Sequence, residues 1–197
     1  IAKSNILQNK ITVLKGKAGS GKTMVAIQAA LDLLFRKEVD RIILTRSIVT
    51  AGEDVGILPG DLGHKLEPYI APLQDALYSL YRKDLIDQMI KDEKIVVIPV
   101  GLIRGRNLKD CIAIIDEAQN ITSNQMKLIL TRLCKGSKMV LCGDIDQCDL
   151  KDNKLSGFDF ICDNTRDIPG FNVTTLYLNH RDEIVDDLLE LYNKHKI

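Results

Sequence analysis

The sequence predicts an α/β domain in which helices cover both faces of a mainly parallel sheet. Three observations support this prediction. Short apolar, β-branched runs alternate with longer segments of helical character, as in consecutive β-α-β units. The runs are apolar at consecutive positions, which is typical of strands buried on both faces. Glycine-rich and acidic residues directly follow several of these runs, and sheets of this kind bind ligands at the carboxyl ends of their strands.

The individual strands and helices can be placed in chain order. Strands are expected at 11–14, 41–45, 95–100, 111–115, 138–142 and 172–176, where apolar and β-branched residues cluster. Helices are expected at 24–35, 84–91, 124–134 and 182–193, the third of them capped by Thr122 or Ser123. Asp61 is expected to cap a further helix that runs to Tyr81, with interruptions at Pro68 and Pro72. Segments 46–63 and 151–170 are predicted to be a long loop and a polar link.

The composition indicates a single domain over residues 1–197. Basic and acidic side chains number 27 each, so a formal net charge of zero neither favours nor disfavours a polyanionic partner. No apolar run is long enough to span a membrane and no leader opens the chain, although its first residue, Ile, leaves open whether N-terminal residues are missing. The five cysteines form neither a disulfide framework nor a zinc motif, and we therefore expect a reducing, cytoplasmic location.

The segment from Gly16 to Thr23 fits the pattern G-x-x-x-x-G-K-[ST] of the phosphate-binding loop, or P-loop, between a predicted strand and a predicted helix. In this motif the glycines allow a tight turn whose N–H groups point at phosphate oxygens, and the helix N-terminus adds partial positive charge. Lys22 would reach the β- and γ-phosphates, and the Thr23 hydroxyl would bind Mg²⁺. The predicted nucleotide-binding residues are Gly16, Lys17, Ala18, Gly19, Ser20, Gly21, Lys22, Thr23 and Met24. The alternative is a glycine-rich turn without a ligand.

Two adjacent carboxylates, Asp116 and Glu117, directly follow the predicted strand 111–115. A P-loop enzyme keeps its second acidic element in such a position. Asp116 would hold Mg²⁺, directly or through water, and Glu117 would act as the catalytic base that orients and deprotonates the attacking water. The alternative is that the pair merely opens a helix, where negative charge suits the helix dipole.

A third polar segment, Gly143-Asp144-Ile145-Asp146-Gln147, follows the predicted strand 138–142. The amide of Gln147 can both donate and accept hydrogen bonds, and it therefore suits a contact with the γ-phosphate or the attacking water. Taken alone, the segment is an ordinary turn rich in Gly and Asp. Its position at the end of a strand favours a catalytic role for Gln147.

These three motifs in this order resemble the first RecA-like domain of superfamily 1 helicases. The chain is more similar still to the PhoH family of single-domain P-loop ATPases, and the likeness extends over nearly its whole length. Further segments that carry it are Ala51-Gly52-Glu53, Leu58-Pro59-Gly60-Asp61-Leu62, Arg104-Gly105-Arg106, Asp116-Glu117-Ala118-Gln119-Asn120, Leu130-Thr131-Arg132 and Gly136-Ser137-Lys138-Met139-Val140. The sequence departs from the family pattern at two places. Ser47 stands where the family usually has proline, and Arg181-Asp182-Glu183 replaces an Arg-His-Pro pattern.

The resemblance implies a RecA-like P-loop domain that hydrolyses ATP with Mg²⁺ and assembles into a homo-oligomer, a hexameric ring. Phosphoryl transfer benefits from an arginine that neutralises the transition state, and helicases draw it from a second domain. Because this chain has only one such domain, we expect a neighbouring subunit to supply that arginine. The candidates are Arg132 and Arg181.

The use made of hydrolysis stays open between two classes of protein. One is an ATPase that acts on single-stranded RNA or DNA, with Arg46, Lys65, Arg104, Arg106 and Lys109 as a local basic surface for phosphates. The other is a nucleotide-dependent assembly or switch protein that does not act on nucleic acid. Aromatic residues make up only 5% of the chain, so a base-stacking platform is not evident. The choice between ATP and GTP also stays open at this point.

Overall fold

The computed structural model describes residues 1–47, 62–103, 105–150, 156–164, 167–178 and 184–185, with the backbone alone for 62–69. Several predictions lie outside the described residues: the cap at Asp61, nearly all of the loop 46–63, and all but two residues of the closing helix 182–193. In the described part of the chain, no helix is long and apolar enough to cross a membrane.

Six parallel strands form one sheet in the order β3-β2-β4-β5-β1-β6. The strands are β1 Ile11–Gly16, β2 Arg41–Arg46, β3 Ile95–Val97, β4 Cys111–Asp116, β5 Lys138–Gly143 and β6 Phe171–Leu176. All residues of β4 are buried, as its unbroken apolar character predicts. The parallel sheet of the predicted α/β class is therefore confirmed.

Helices cover both faces of this sheet. They are α1 Ala2–Gln8, α2 Lys22–Phe35, α3 Leu62–Leu80, α4 Lys83–Lys91, α5 Ser123–Leu130 and α6 Gly157–Asn164. Alternate residues of β4 divide between two cores. Ile112 and Ile114 face the core that contains α1 to α4, whereas Ala113 and Ile115 face the core that contains α5 and α6. The sheet thus separates two layers of helices.

Several predicted boundaries were wrong. Helix α3 continues through Pro68 and Pro72 without a break, because Leu73 and Leu77 pack in the first core and hold its last turns. Strand β3 ends at Val97, and a 3-10 turn, Val100–Ile103, replaces its predicted end after a proline that cannot donate to the sheet.

Helices α1 and α6 are not predicted by the sequence pattern, and α5 ends at residue 130 rather than 134. Helix α6 lies in the segment predicted to be a polar link. It is eight residues long and buries Gly157, Phe158 and Ile161, too few apolar positions to define a helical period. The predicted cap at Thr122 is confirmed, because its hydroxyl accepts from the Gln125 N–H in a capping box.

Candidate nucleotide-binding site

The P-loop connects β1, which lies next to the edge strand β6, to the start of α2. Gly19 and Gly21 have φ angles of 83° and 79°, in the left-handed region that favours glycine. Gly21 is also the N-cap of α2. The glycine pattern of the motif therefore corresponds to real backbone requirements at these two positions.

The Lys22 side chain folds back against the P-loop. Its Nζ donates to the carbonyl oxygens of Gly16 at 2.7 Å and Lys17 at 2.9 Å. The loop is also anchored from β5, since the Ala18 N–H donates to Asp144 Oδ2 at 2.8 Å. Together these bonds hold a positive charge at the helix N-terminus, where phosphate groups are favoured.

A cavity of about 270 Å³ opens between the P-loop and the ends of β4 and β5. It is lined by Ala18, Gly19, Gly21, Lys22, Thr23, Met24, Asp116, Glu117, Cys142, Asp144 and Gln147. Most of the residues that the motifs single out therefore face one space, although they come from three separate parts of the chain.

Thr23 and Asp116 form the part of the cavity that suits a metal ion. The Thr23 hydroxyl donates to Asp116 Oδ1 at 2.7 Å. Asp116 is only 7% exposed, and this burial raises the pKa of its carboxyl group, an effect that the Thr23 hydrogen bond opposes. A hydroxyl and a carboxylate are oxygen ligands of the kind that Mg²⁺ prefers, so these two residues fit the role predicted for them.

The end of the loop also suits phosphate. The turn leads into the N-terminus of α2, where the first N–H groups of the helix carry partial positive charge, and Lys22 lies beside it. The buried Ser20 hydroxyl has no hydrogen-bond partner among the described residues, but it lies against Gly16 and does not line the cavity. The helix N-terminus and Lys22 thus fit the polyphosphate of a nucleotide.

Both carboxylate oxygens of Glu117 are held by side chains, one from the end of β2 and one from two residues further along the same segment. Glu117 Oε1 accepts from Arg46 Nη2 at 2.9 Å, and Glu117 Oε2 accepts from Gln119 Nε2 at 2.7 Å. The Glu117 backbone has a φ of 52°, in the left-handed region that is uncommon for a residue with a side chain.

Gln119 connects Glu117 to the turn after β5. Its Nε2 also donates to the Gln147 carbonyl oxygen at 3.2 Å, and its Oε1 accepts from the Asp144 N–H at 3.1 Å. Since Asp144 in turn binds Ala18, a chain of hydrogen bonds runs from Glu117 to the P-loop. Gln119 and Asp144 stand within the sequence motifs without a predicted role, because only the neighbouring positions of β4 and β5 bring them together.

The structure places Arg46 beside the acidic pair and Arg132 away from it. Arg46, predicted as part of a basic surface, pairs instead with the acidic residues of the cavity. The Arg132 carbonyl oxygen accepts from Leu108 N–H at 2.9 Å near the start of β4, at the opposite edge of the sheet. Arg181 lies outside the described residues. Nothing in the single chain tests whether Arg132 or Arg181 acts on a neighbouring subunit.

A P-loop at the end of β1, with an acidic pair on β4 and one strand between them, defines the α/β class of P-loop nucleotide-binding proteins. The sequence model for the family described as PhoH-like protein matches residues 2–193, and the chain belongs to this family. The resemblance predicted from the motifs is thereby confirmed.

Similar proteins agree with this assignment. The chain is 42% identical over 193 residues to a PhoH-like protein of Synechocystis, covering 96% of this chain and 58% of that protein. It is 40% identical over 181 residues to a PhoH-like protein of Bacillus subtilis, covering 91% of this chain and 57% of that protein. The chain thus spans somewhat more than half the length of these relatives.

A solved structure shares the fold. The large terminase of a thermophilic bacteriophage superposes with a TM-score of 0.57 and 12% sequence identity, covering 94% of this chain and 45% of that chain. At this identity the likeness concerns the arrangement of helices and strands alone.

Proposed function

We propose that this chain binds ATP with Mg²⁺ in the cavity between the P-loop and β4, and hydrolyses it. The observation that carries the proposal is the 2.7 Å hydrogen bond between Thr23 and Asp116. It brings the last residue of the P-loop motif against the first of the two acidic residues, as a shared metal ion requires.

Each cavity residue then has a distinct task. The P-loop N–H groups and Lys22 bind the phosphates, and Thr23 and Asp116 hold the metal. Glu117 orients a water molecule and takes its proton, while Gln147 contacts the γ-phosphate or that water. Bound Mg²⁺ supplies positive charge beside the phosphates.

Two variants separate binding from chemistry. Lys22→Ala is expected to weaken ATP binding by about tenfold or more, because a phosphate loses its cationic partner. Glu117→Gln is expected to keep binding but to lower turnover by about 100-fold or more, because an amide cannot act as the base. Binding is measured by titration calorimetry and turnover by phosphate release. Lys91→Ala, at an exposed position in α4, is the control. ATP hydrolysis by Lys22→Ala at the wild-type rate would contradict the proposal.

We also propose that hydrolysis is coupled to single-stranded RNA or DNA in a homo-oligomeric, hexameric ring in the cytoplasm. The family resemblance supports the ring and the nucleic acid. The five free cysteines fit a reducing compartment. The place of Arg132, far from the site of its own chain, is compatible with a head-to-tail contact that presents it to the next subunit.

Two measurements distinguish an ATPase that acts on nucleic acid from the competing class, an assembly or switch protein. The ATPase rate is measured with and without single-stranded RNA or DNA, at two salt concentrations. If the chain acts on nucleic acid, the rate should be higher when RNA or DNA is present, and the higher salt concentration should reduce this increase. The mass of the particle in solution is measured with and without nucleotide. A hexameric ring should have six times the mass of one chain. A nucleotide-dependent mass with no response to either nucleic acid would favour the switch protein.

A further inference from the structure

Strand β2 delivers a positive charge to the acidic pair from the side away from the P-loop. Arg46 is the last residue of β2 and pairs in register with Asp116 at the end of β4. Its Nη2 lies 2.9 Å from Glu117 Oε1, and its Nη1 lies 3.8 Å from Asp116 Oδ2. The Arg46 side chain is 27% exposed, so water screens this charge only in part.

The backbone beneath this guanidinium is anchored on both sides of Glu117. The Ser47 N–H donates to the Asp116 carbonyl oxygen at 3.0 Å, and the Ser47 hydroxyl donates to the Asn120 carbonyl oxygen at 3.1 Å. Ser47 is 8% exposed. A proline at this position would have neither donor. This chain therefore fixes Arg46 with two hydrogen bonds that a proline would not make.

Glu117 is the residue that needs such support. Its base role places a carboxylate beside the γ-phosphate, and two negative groups at short distance repel each other. Asp116 would share the charge of the metal ion, but Glu117 has no such partner in that arrangement. Among the described residues, Arg46 is the cation that forms an ion pair with Glu117. Gln119 holds the other carboxylate oxygen at 2.7 Å, so the orientation of Glu117 is set from two directions.

We infer that Arg46 is a positioning residue of the hydrolysis site, which holds the Glu117 carboxylate toward the cavity and offsets its repulsion from the γ-phosphate. The inference rests on the proposed ATP hydrolysis. It gives the site a positive charge from its own chain, in addition to any arginine that a neighbouring subunit supplies. A guanidinium suits this task because its planar donors fix the direction of a carboxylate, whereas an ammonium group supplies charge with less direction.

The test compares Arg46→Ala, Arg46→Lys and wild type in the full chain. Arg46→Ala is expected to lower kcat about tenfold or more and to weaken Mg-ATP binding by a smaller factor, because the repulsion between Glu117 and the γ-phosphate is then no longer offset. Arg46→Lys should recover part of kcat, because the charge returns without the fork geometry. Arg41→Ala is the matched control. It removes an exposed arginine from the opposite end of the same strand, and its kcat should equal that of wild type.

A double-mutant cycle with Glu117→Gln shows whether Arg46 acts through Glu117. In the Glu117→Gln background, Arg46→Ala should lower the residual turnover no further, because the group that it positions is no longer a base. An equal loss in both backgrounds would overturn the inference. So would faster turnover by Arg46→Ala, which would make Arg46 a restraint on the base instead.

Three further outcomes are informative. If Arg46→Ala lowers both kcat and the melting temperature, and Arg46→Lys recovers neither, Arg46 has a structural role and the inference is overturned. Wild type that binds Mg-ATP without any turnover would overturn the proposed function and this inference together. If wild type hydrolyses ATP and Arg46→Ala hydrolyses it at the same rate, this inference alone is overturned.

Discussion

Thr23 Oγ1 and Asp116 Oδ1 lie 2.7 Å apart across 93 residues of sequence. The hydroxyl belongs to the start of α2, and the carboxylate belongs to the end of β4. β5 lies between β4 and the P-loop strand β1. The short distance therefore means that the P-loop helix and the acidic strand are placed so that both side chains can bind one metal ion.

Thr23→Val should remove the effect of Mg²⁺ on nucleotide binding. Valine has nearly the same shape but no oxygen for the metal, and it removes the hydroxyl that donates to the buried Asp116 carboxylate. We expect Mg²⁺ to tighten ATP binding by about tenfold or more in wild type and by much less in Thr23→Val. Titration with Mg²⁺ and with EDTA measures this difference. Thr23→Ser keeps the hydroxyl and is the control. An equal response to Mg²⁺ in Thr23→Val would rule out Thr23 as a metal ligand.

Asp116→Asn should stabilise the nucleotide-free protein at neutral pH. Burial raises the pKa of Asp116 above its ordinary value of 3.8, so the folded chain binds this proton more tightly than the unfolded chain does. The stability that this provides is present below the unfolded pKa and is lost as pH rises through the folded pKa. Asparagine is neutral at every pH and avoids the loss.

Melting temperatures in EDTA should therefore be higher for Asp116→Asn than for wild type at pH 7, and the difference should shrink near pH 4. Asp40→Asn, which changes an exposed aspartate, controls for the general effect of removing one negative charge. A melting temperature of Asp116→Asn below that of wild type at pH 7 would show that the Thr23 and Arg46 contacts outweigh the cost of burial.

Gln119→Met should impair both folding and turnover. The Gln119 side chain is buried and satisfies Glu117, the Gln147 carbonyl oxygen and the Asp144 N–H. Methionine has a similar volume but makes none of these bonds, so the buried Asp144 N–H loses its partner at a cost of about 1–3 kcal/mol.

Urea denaturation measures the stability change, and steady-state kinetics should show a fall in kcat that exceeds the change in KM. Gln88→Met, at an exposed position in α4, is the matched control and should be near neutral. Unchanged stability and turnover in Gln119→Met would mean that this hydrogen-bond network contributes little.

Gly157→Ala should destabilise the fold by overpacking where α6 meets α5. A Cβ atom at Gly157 would lie 2.5 Å from the Met126 Cβ and 3.1 Å from the Thr122 carbonyl oxygen. Because backbone must shift to admit the methyl group, we expect a loss of about 1–3 kcal/mol in urea denaturation. Gly101→Ala is the control, since a Cβ there meets nothing within 4 Å. Equal stability of the two variants would show that the interface between α5 and α6 adapts freely.

The P-loop and the acidic pair can be predicted from the sequence because each motif is a contiguous segment. Glycine is favoured where a turn needs φ above zero, and Gly19 and Gly21 meet that need within the P-loop itself. The unbroken apolar character of β4 marks a strand buried on both faces, which places Asp116 and Glu117 at its carboxyl end without any knowledge of the neighbours.

Sequence alone therefore determined the α/β class, the phosphate-binding loop and the acidic pair, since each depends on residues a few positions apart. Tertiary structure decided which side chains meet that pair. Arg46 reaches Glu117 across 71 residues, and Gln119 reaches Asp144 across 25, only because β2, β4 and β5 are neighbours in the sheet. Strand order depends on how two layers of helices pack over the whole chain, and no short segment of sequence encodes it.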